Sequence, residues 1–94
     1  MFGEVPINLD NVKEENIDKE ILRTAIIAEL DAVNVYEQMA ARTKNDNLKT
    51  VLLDIAGEEK THVGEFLELL LRLDPQQVKE LKEGKEEIEE LLGK

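Results

Sequence analysis

No cysteine occurs in the chain, which excludes disulfides, iron–sulfur clusters, thiolate zinc sites and any cysteine-bound iron centre. No apolar run approaches the roughly 20 residues that a membrane span needs. Residues 1–10 lack the basic stretch followed by an apolar one that marks a secretory signal, so the cytoplasm is the expected location. Glycine-rich phosphate loops, internal repeats and low-complexity tracts are absent, and nothing reads as a strand. Basic residues are scarce: twelve Lys and Arg against twenty-two Asp and Glu leave a net charge of −10. That charge opposes binding to nucleic acid and to anionic membranes, so neither is expected as a partner, and it suits a surface that attracts cations.

What remains is a short helical chain. Ninety-four residues make one small domain, residues 1–94, at a size where a single core is only modestly stabilising and oligomerisation adds burial. After a lead-in over 1–16, in which Asn11 and Glu14 have capping-box spacing, three helices are predicted at about 18–44, 47–73 and 75–92. The first has Asp18 as its N-cap and a stripe of Leu22, Ala25, Ile26, Glu29, Val33, Tyr36 and Ala40 at spacings of three and four. Lys44, Asn45, Asp46 and Asn47 form a polar break with turn chemistry. The second stripe is Leu48, Leu52, Ile55, Glu59, His62, Phe66, Leu69 and Leu73. Two long helices with so short a connection predict an antiparallel hairpin. Asp74 and Pro75 then close one helix and start the next, with Gln77 at the capping-box position. The third helix has a narrow stripe of Val78, Leu81, Ile88, Leu91 and Leu92 and a weak point at Gly84, and is expected to pack on a neighbour or project towards a partner.

Both long stripes have a carboxylate where an aliphatic residue belongs. Glu29 sits at the centre of one, Glu59 at the centre of the other, and His62, the single histidine, follows Glu59 at i+3. Residues three apart share a helix face, so Glu59 and His62 can reach one ion; Glu58 lies farther from the stripe centre. A lone histidine on an apolar face is commonly structural, and a glutamate can be neutralised by a lysine or arginine. Neither stripe centre carries such a base, and an ionised carboxylate in an interior position needs compensation. Two oxygen donors and an imidazole suit iron, manganese or zinc better than magnesium or calcium.

Di-iron carboxylate bundles take one Glu from each of two helices and a Glu-x-x-His from each of the other two. This chain supplies one of each. It therefore holds half of a four-helix bundle and half of a dinuclear site, which a two-fold dimer would complete at its interface. Tyr36, two turns from Glu29, is either core or a hydrogen-bond partner that orients a ligand carboxylate.

These residues resemble the ferritin-like superfamily and, within it, the encapsulated ferritins. The resemblance runs from Asp18 to near the end. It rests on Ala28-Glu29-Leu30 with Tyr36, on Ala56-Gly57-Glu58-Glu59-Lys60-Thr61-His62, and on the thirty-residue interval between Glu29 and Glu59. It implies an all-α fold, an antiparallel two-helix hairpin plus a C-terminal helix that dimerises into a ferritin-like four-helix bundle, and a ring of five such dimers. It also implies a ferroxidase centre at each dimer interface, with Glu29, Glu59 and His62 as catalytic metal ligands, Tyr36 beside Glu29, and iron as cofactor, for which zinc, manganese or calcium substitute. Members oxidise Fe(II) with oxygen inside an encapsulin shell, so the shell protein is an expected partner and the compartment an expected location. Where the family often has further acids that guide iron, this chain has Ala28 and Asp31, leaving Asp31 as the candidate for iron uptake. Val35 replaces an expected aromatic residue. Nothing after Ile88 reads as a shell-targeting peptide, as expected of a truncated piece or a fusion fragment. A non-redox, metal-stabilised helical assembly module is the alternative reading, and a plain helical interaction domain the third.

Overall fold

Short polar side chains start the second and third helices, whereas a 3₁₀ turn leads into the first. The computed structural model describes residues 7–94; the part of the lead-in before residue 7 lies outside them. Two 3₁₀ turns, Leu9–Asn11 and Glu14–Asn16, precede helix α1, Ile17–Arg42. Asn8, rather than Asn11, caps the first of them, its side chain accepting from the Asp10 N–H. The Asn16 N–H bonds the Lys13 carbonyl at 2.8 Å and the Ile17 N–H bonds Glu14. The 3₁₀ turn thus runs straight into α1, which starts at Ile17, one residue before the Asp18 expected to cap it. Asp18 instead lies inside the first turn with Glu20, where negative charge favours the helix N-terminus.

At the far end of α1, Thr43 turns extended and its N–H bonds the Met39 carbonyl. The Thr43 hydroxyl then accepts from the Asn45 N–H at 3.1 Å, and Asn45 Oδ1 accepts from the Leu48 N–H at 3.0 Å. Asn45 is therefore the N-cap of helix α2, Asp46–Leu73, and the break falls slightly before its predicted place. Asp74, at φ −131° and ψ 86° ahead of Pro75, ends α2. Its Oδ1 accepts from the Gln77 N–H at 3.1 Å and so opens helix α3, Pro75–Leu92. Gly84 lies inside α3 without breaking it, and Gly93 closes it at φ 75°, a left-handed conformation suited to glycine.

The fold is all-α: three helices and, among the described residues, no strand. Helices α1 and α2 pack along their length as an antiparallel hairpin. Its core is thin, comprising Leu22, Val33 and Ala40 of α1 against Leu52, Ala56 and Leu70 of α2. The predicted α1 stripe is all buried or half-buried, whereas Leu48, Leu69 and Leu73 of the α2 stripe remain 45–50 % exposed. The apolar surface of α2 is wider than α1 can cover, so one edge packs and the other stays open. Among the described residues, α3 buries none, and Val78, Leu81, Ile88, Leu91 and Leu92 all face solvent. The extents of 46 × 44 × 19 Å fit a hairpin about two helix diameters thick with a third helix splayed from its axis. On α3, a hydrogen bond with Glu83, and then repulsion from it, hold the Glu80 carboxyl above its ordinary range, so acidification favours this helix. No helix among the described residues is long and apolar enough to cross a membrane.

Leu70 is 3 % exposed, and Leu70→Ala should cost about 2–4 kcal/mol, measured as a fall in the urea midpoint with little change in slope. A midpoint within error of the wild type would show that the hairpin core lies elsewhere.

Candidate metal centre

The hairpin register places the central carboxylates opposite one another. Glu29 and Glu59 each lie fifteen residues from Lys44, the middle of the connection, so antiparallel packing brings them to the same height. His62, nearly one turn beyond Glu59 on the same face, joins them. One oxygen from each carboxylate and one imidazole nitrogen lie within 4.8 Å of one another. His62 Nδ1 is 3.5 Å from Glu29 Oε2 and 3.6 Å from Glu59 Oε2. Glu58 is exposed and outside the group.

Those distances bear on the chemistry. They exceed the roughly 2.7–3.2 Å of a hydrogen bond to nitrogen. Donors held about 2.1 Å from one tetrahedral ion, by contrast, stand roughly 3.4 Å apart. Glu29 Oε2 is also buried without a hydrogen-bond partner. The three side chains therefore fit a shared divalent cation better than they fit one another.

Electrostatics point the same way. The Glu29 and Glu59 side chains are only 20 % and 19 % exposed, whereas His62 is 44 % exposed, so the carboxylates are recessed and the imidazole stands at the opening. The nearby bases are engaged elsewhere: Lys60 pairs with Glu37 at 3.0 Å, Arg72 with Glu68 at 2.9 Å and Arg23 with Asp74 at 3.8 Å. Two like charges are left in a partly desolvated setting with one imidazole between them, an arrangement that a bound cation stabilises.

The site opens into a cleft of about 430 Å³ lined by Glu29, His62, Glu65, Phe66 and Leu69. Glu65 escaped the sequence reading because it lies off the apolar stripe. Its position at i+3 from His62 was the available signal. Tyr36 is half-buried on the Glu29 face of α1, two turns on, and does not line this cleft. Asp31, two residues after Glu29, points about 200° away round the helix. It joins neither the group nor the cleft, and its Oδ2 is buried without a hydrogen-bond partner.

A helical hairpin with a carboxylate–histidine cluster at one uncovered face is a ferritin-like half-bundle. The EncFtn-like family model matches residues 5–89, and the chain belongs to that family. It is 59 % identical over 87 residues to the ferritin-like–encapsulin shell fusion protein of Pyrococcus furiosus, covering 93 % of this chain and 25 % of the relative. It is 42 % identical over 65 residues to the encapsulin nanocompartment cargo protein EncC of Myxococcus xanthus, covering 69 % of this chain and 50 % of the relative. The chain thus spans between a quarter and a half of the length of these curated relatives. The crystal structure of the encapsulated ferritin domain from Pyrococcus furiosus superposes with a TM-score of 0.85 at 54 % identity, covering 100 % of this chain and 96 % of that one.

Zinc or cobalt at a hundredfold excess over Kd should stabilise the protein by about 2.7 kcal/mol, read as a rise in Tm. His62→Ala and Glu29→Gln should each abolish most of that rise. Glu29→Gln should leave the metal-free protein at least as stable as the wild type, since it relieves a like-charge pair. An undiminished metal response in both variants would place the ion elsewhere.

Proposed function

We propose that the chain is a ferroxidase subunit whose substrate is Fe(II) and whose electron acceptor is molecular oxygen. The observation that carries this reading is the spacing of the three donors, 3.5 and 3.6 Å across His62, at a face left open beside exposed Leu69 and Leu73. A second copy, related by a two-fold axis, supplies another Glu29, Glu59 and His62 and closes the apolar rim, completing a four-helix bundle around a di-iron centre. Five such dimers form the ring that the family resemblance implies.

In that site Glu29, Glu59 and His62 bind and orient iron. Carboxylates in a partly desolvated pocket stabilise a triply charged ion more than a doubly charged one, which favours loss of one electron from each Fe(II) to oxygen. The Tyr36 hydroxyl orients a ligand carboxylate, in its own chain or across the interface. Asp31 faces away from its own cleft and can guide iron only where another copy meets that side. Zinc, manganese and calcium compete for the same donors. The names of the Pyrococcus and Myxococcus relatives join a ferritin-like part to an encapsulin shell or call the protein its cargo. On that basis we place this chain inside an encapsulin compartment in the cytoplasm, feeding oxidised iron to storage there.

Fe(II) added to the anaerobic protein, then exposed to oxygen, should produce oxygen uptake on an electrode that Glu29→Ala and His62→Ala each remove. No uptake from an intact dimer overturns the proposal. Metal-driven assembly without uptake favours the non-redox assembly module. Leu69→Glu, at the open rim, should keep the helical circular dichroism yet lose both dimer and oxygen uptake; a dimer that survives it would move the interface away from this face.

A further inference from the structure

The side of the hairpin turned away from the metal centre has an apolar stripe of its own. On α2, Leu53, Gly57, Lys60, Gly64, Leu67 and Leu71 recur at spacings of four and three, so they share one line along the helix. Leu53 is nine residues, or two and a half turns, from His62 and so lies on the opposite side of α2. A second copy that closes the metal centre therefore leaves this line uncovered. Leu53 is 48 % exposed, and Ile27 and Leu30 on the adjoining side of α1 are 44 % and 50 % exposed. A cleft of about 310 Å³ lies there, lined by Ile26, Ile27, Leu67 and Leu70 with Arg23 and Gln77. Glycine inside a helix is destabilising, yet a side chain at Gly57 or Gly64 would meet nothing within 4 Å. Packing within the chain needs neither glycine. Together they make the middle of the stripe a trough between leucines, open to another helix at close range.

Helix α3 has the matching surface. Val78, Leu81, Lys85, Ile88 and Leu92 lie exposed at spacings of three and four. Val78 to Leu92 spans fourteen residues, as does Leu53 to Leu67, about 21 Å at the helical rise. The lysine midway along each stripe is paired sideways, Lys60 with Glu37 at 3.0 Å and Lys85 with Glu89 at 4.0 Å. Helix α3 cannot cover its own hairpin, because Asp74 alone separates it from α2 and antiparallel helices need a connection of roughly two to five residues. Charge then sets a direction. The end of α3 carries Glu86, Glu87, Glu89 and Glu90. Residues 42–49, at the hairpin tip beyond Leu53, carry Arg42, Lys44 and Lys49 against Asp46 alone, a net +2 in a chain of −10. These three bases are exposed and, among the described residues, in no ion pair.

We propose that the Leu53–Leu71 stripe of α2 seats helix α3 of a second copy, which runs from Leu67 towards Leu53 and sets its terminal glutamates against Arg42, Lys44 and Lys49. This contact lies on the far side of the hairpin from the metal centre and does not depend on the metal-site reading. A chain that has both surfaces continues past a dimer.

The chain has no cysteine, so introduced thiols report the contact without background. Full-length Leu53→Cys and Leu92→Cys variants are mixed and oxidised with diamide. Proximity raises effective concentration, so the disulfide-linked heterodimer should form about tenfold faster than from Leu69→Cys, on the metal face, mixed with Leu92→Cys. Lys44→Glu with Lys49→Glu in the Leu53→Cys chain should remove much of that advantage, as should added salt. Glu86→Lys with Glu89→Lys in the Leu92→Cys chain should then restore it. Gly64→Leu fills the trough while favouring the helix, so it should keep the helical circular dichroism and lose the fast cross-link. A Leu53–Leu92 rate no faster than the Leu69–Leu92 rate overturns the proposal. Fast cross-linking that survives Gly64→Leu overturns it too, and so does a rate indifferent to both charge reversals. If a chain with both thiols instead closes into a cross-linked monomer, α3 covers its own hairpin and the second copy is excluded from the seat.

Discussion

Two carboxylates held at the same height in the middle of a hairpin, without a basic side chain to neutralise them, set the terms for the rest of this molecule. Close like charges repel, and partial burial strengthens the repulsion. A stable fold must therefore leave that region reachable by a cation, or place something positive there. The chain does the former: Arg23, Lys60 and Arg72 pair away from the site, and the one titratable base in the cluster is an imidazole at the opening. The face that would otherwise be sealed stays uncovered, and the hairpin remains only about two helices thick.

That thinness has an energetic side. A core of six buried apolar residues among the described ones buries little surface for a chain of this length, and stabilisation scales with the area removed from water. The surplus apolar surface is distributed unevenly. On α2 it forms the second edge of a stripe whose first edge is already packed, and on α3 it forms a narrow stripe that none of the described residues buries. Surface of this kind is stabilising only when something covers it. The same geometry that leaves the carboxylates open thus leaves uncovered the apolar area that a second copy would bury. In the proposed arrangement, folding, assembly and cation binding draw on one interface.

Much of the fold could be read from local chemistry. Asp74, Pro75 and Gln77 specify a helix end and a helix start within four residues, and the structure contains that cap as read. Asp18 misled because a 3₁₀ turn upstream runs into α1 and starts the helix at Ile17, before Asp18 could cap it, and 3₁₀ turns carry no strong sequence mark. Helix α2 starts at Asp46, one residue before its expected start, because Asn45 caps it and the Thr43 hydroxyl holds the Asn45 N–H. At the site, Glu29, Glu59 and His62 were visible because they interrupt apolar stripes, so a violated pattern was the signal. Glu65 violates nothing: it sits among polar residues, and only the cleft distinguishes it from any other surface glutamate. Whether α3 packs or projects was left open by the sequence, because periodicity describes the faces of a helix and not the direction of its axis.

Asp74 links these levels in another way. One of its oxygens holds the first turn of α3 and the other stands 3.8 Å from Arg23 on α1, while its own backbone ends α2. A single residue thus acts as the pivot of an arm of eighteen residues, about 27 Å long at the rise of an α-helix. Over that length, a rotation of ten degrees at the pivot moves the tip by roughly 5 Å, the spacing of one helical turn. The aim of the exposed leucines at the end of α3 is therefore set by the geometry at Asp74, at the opposite end of that helix.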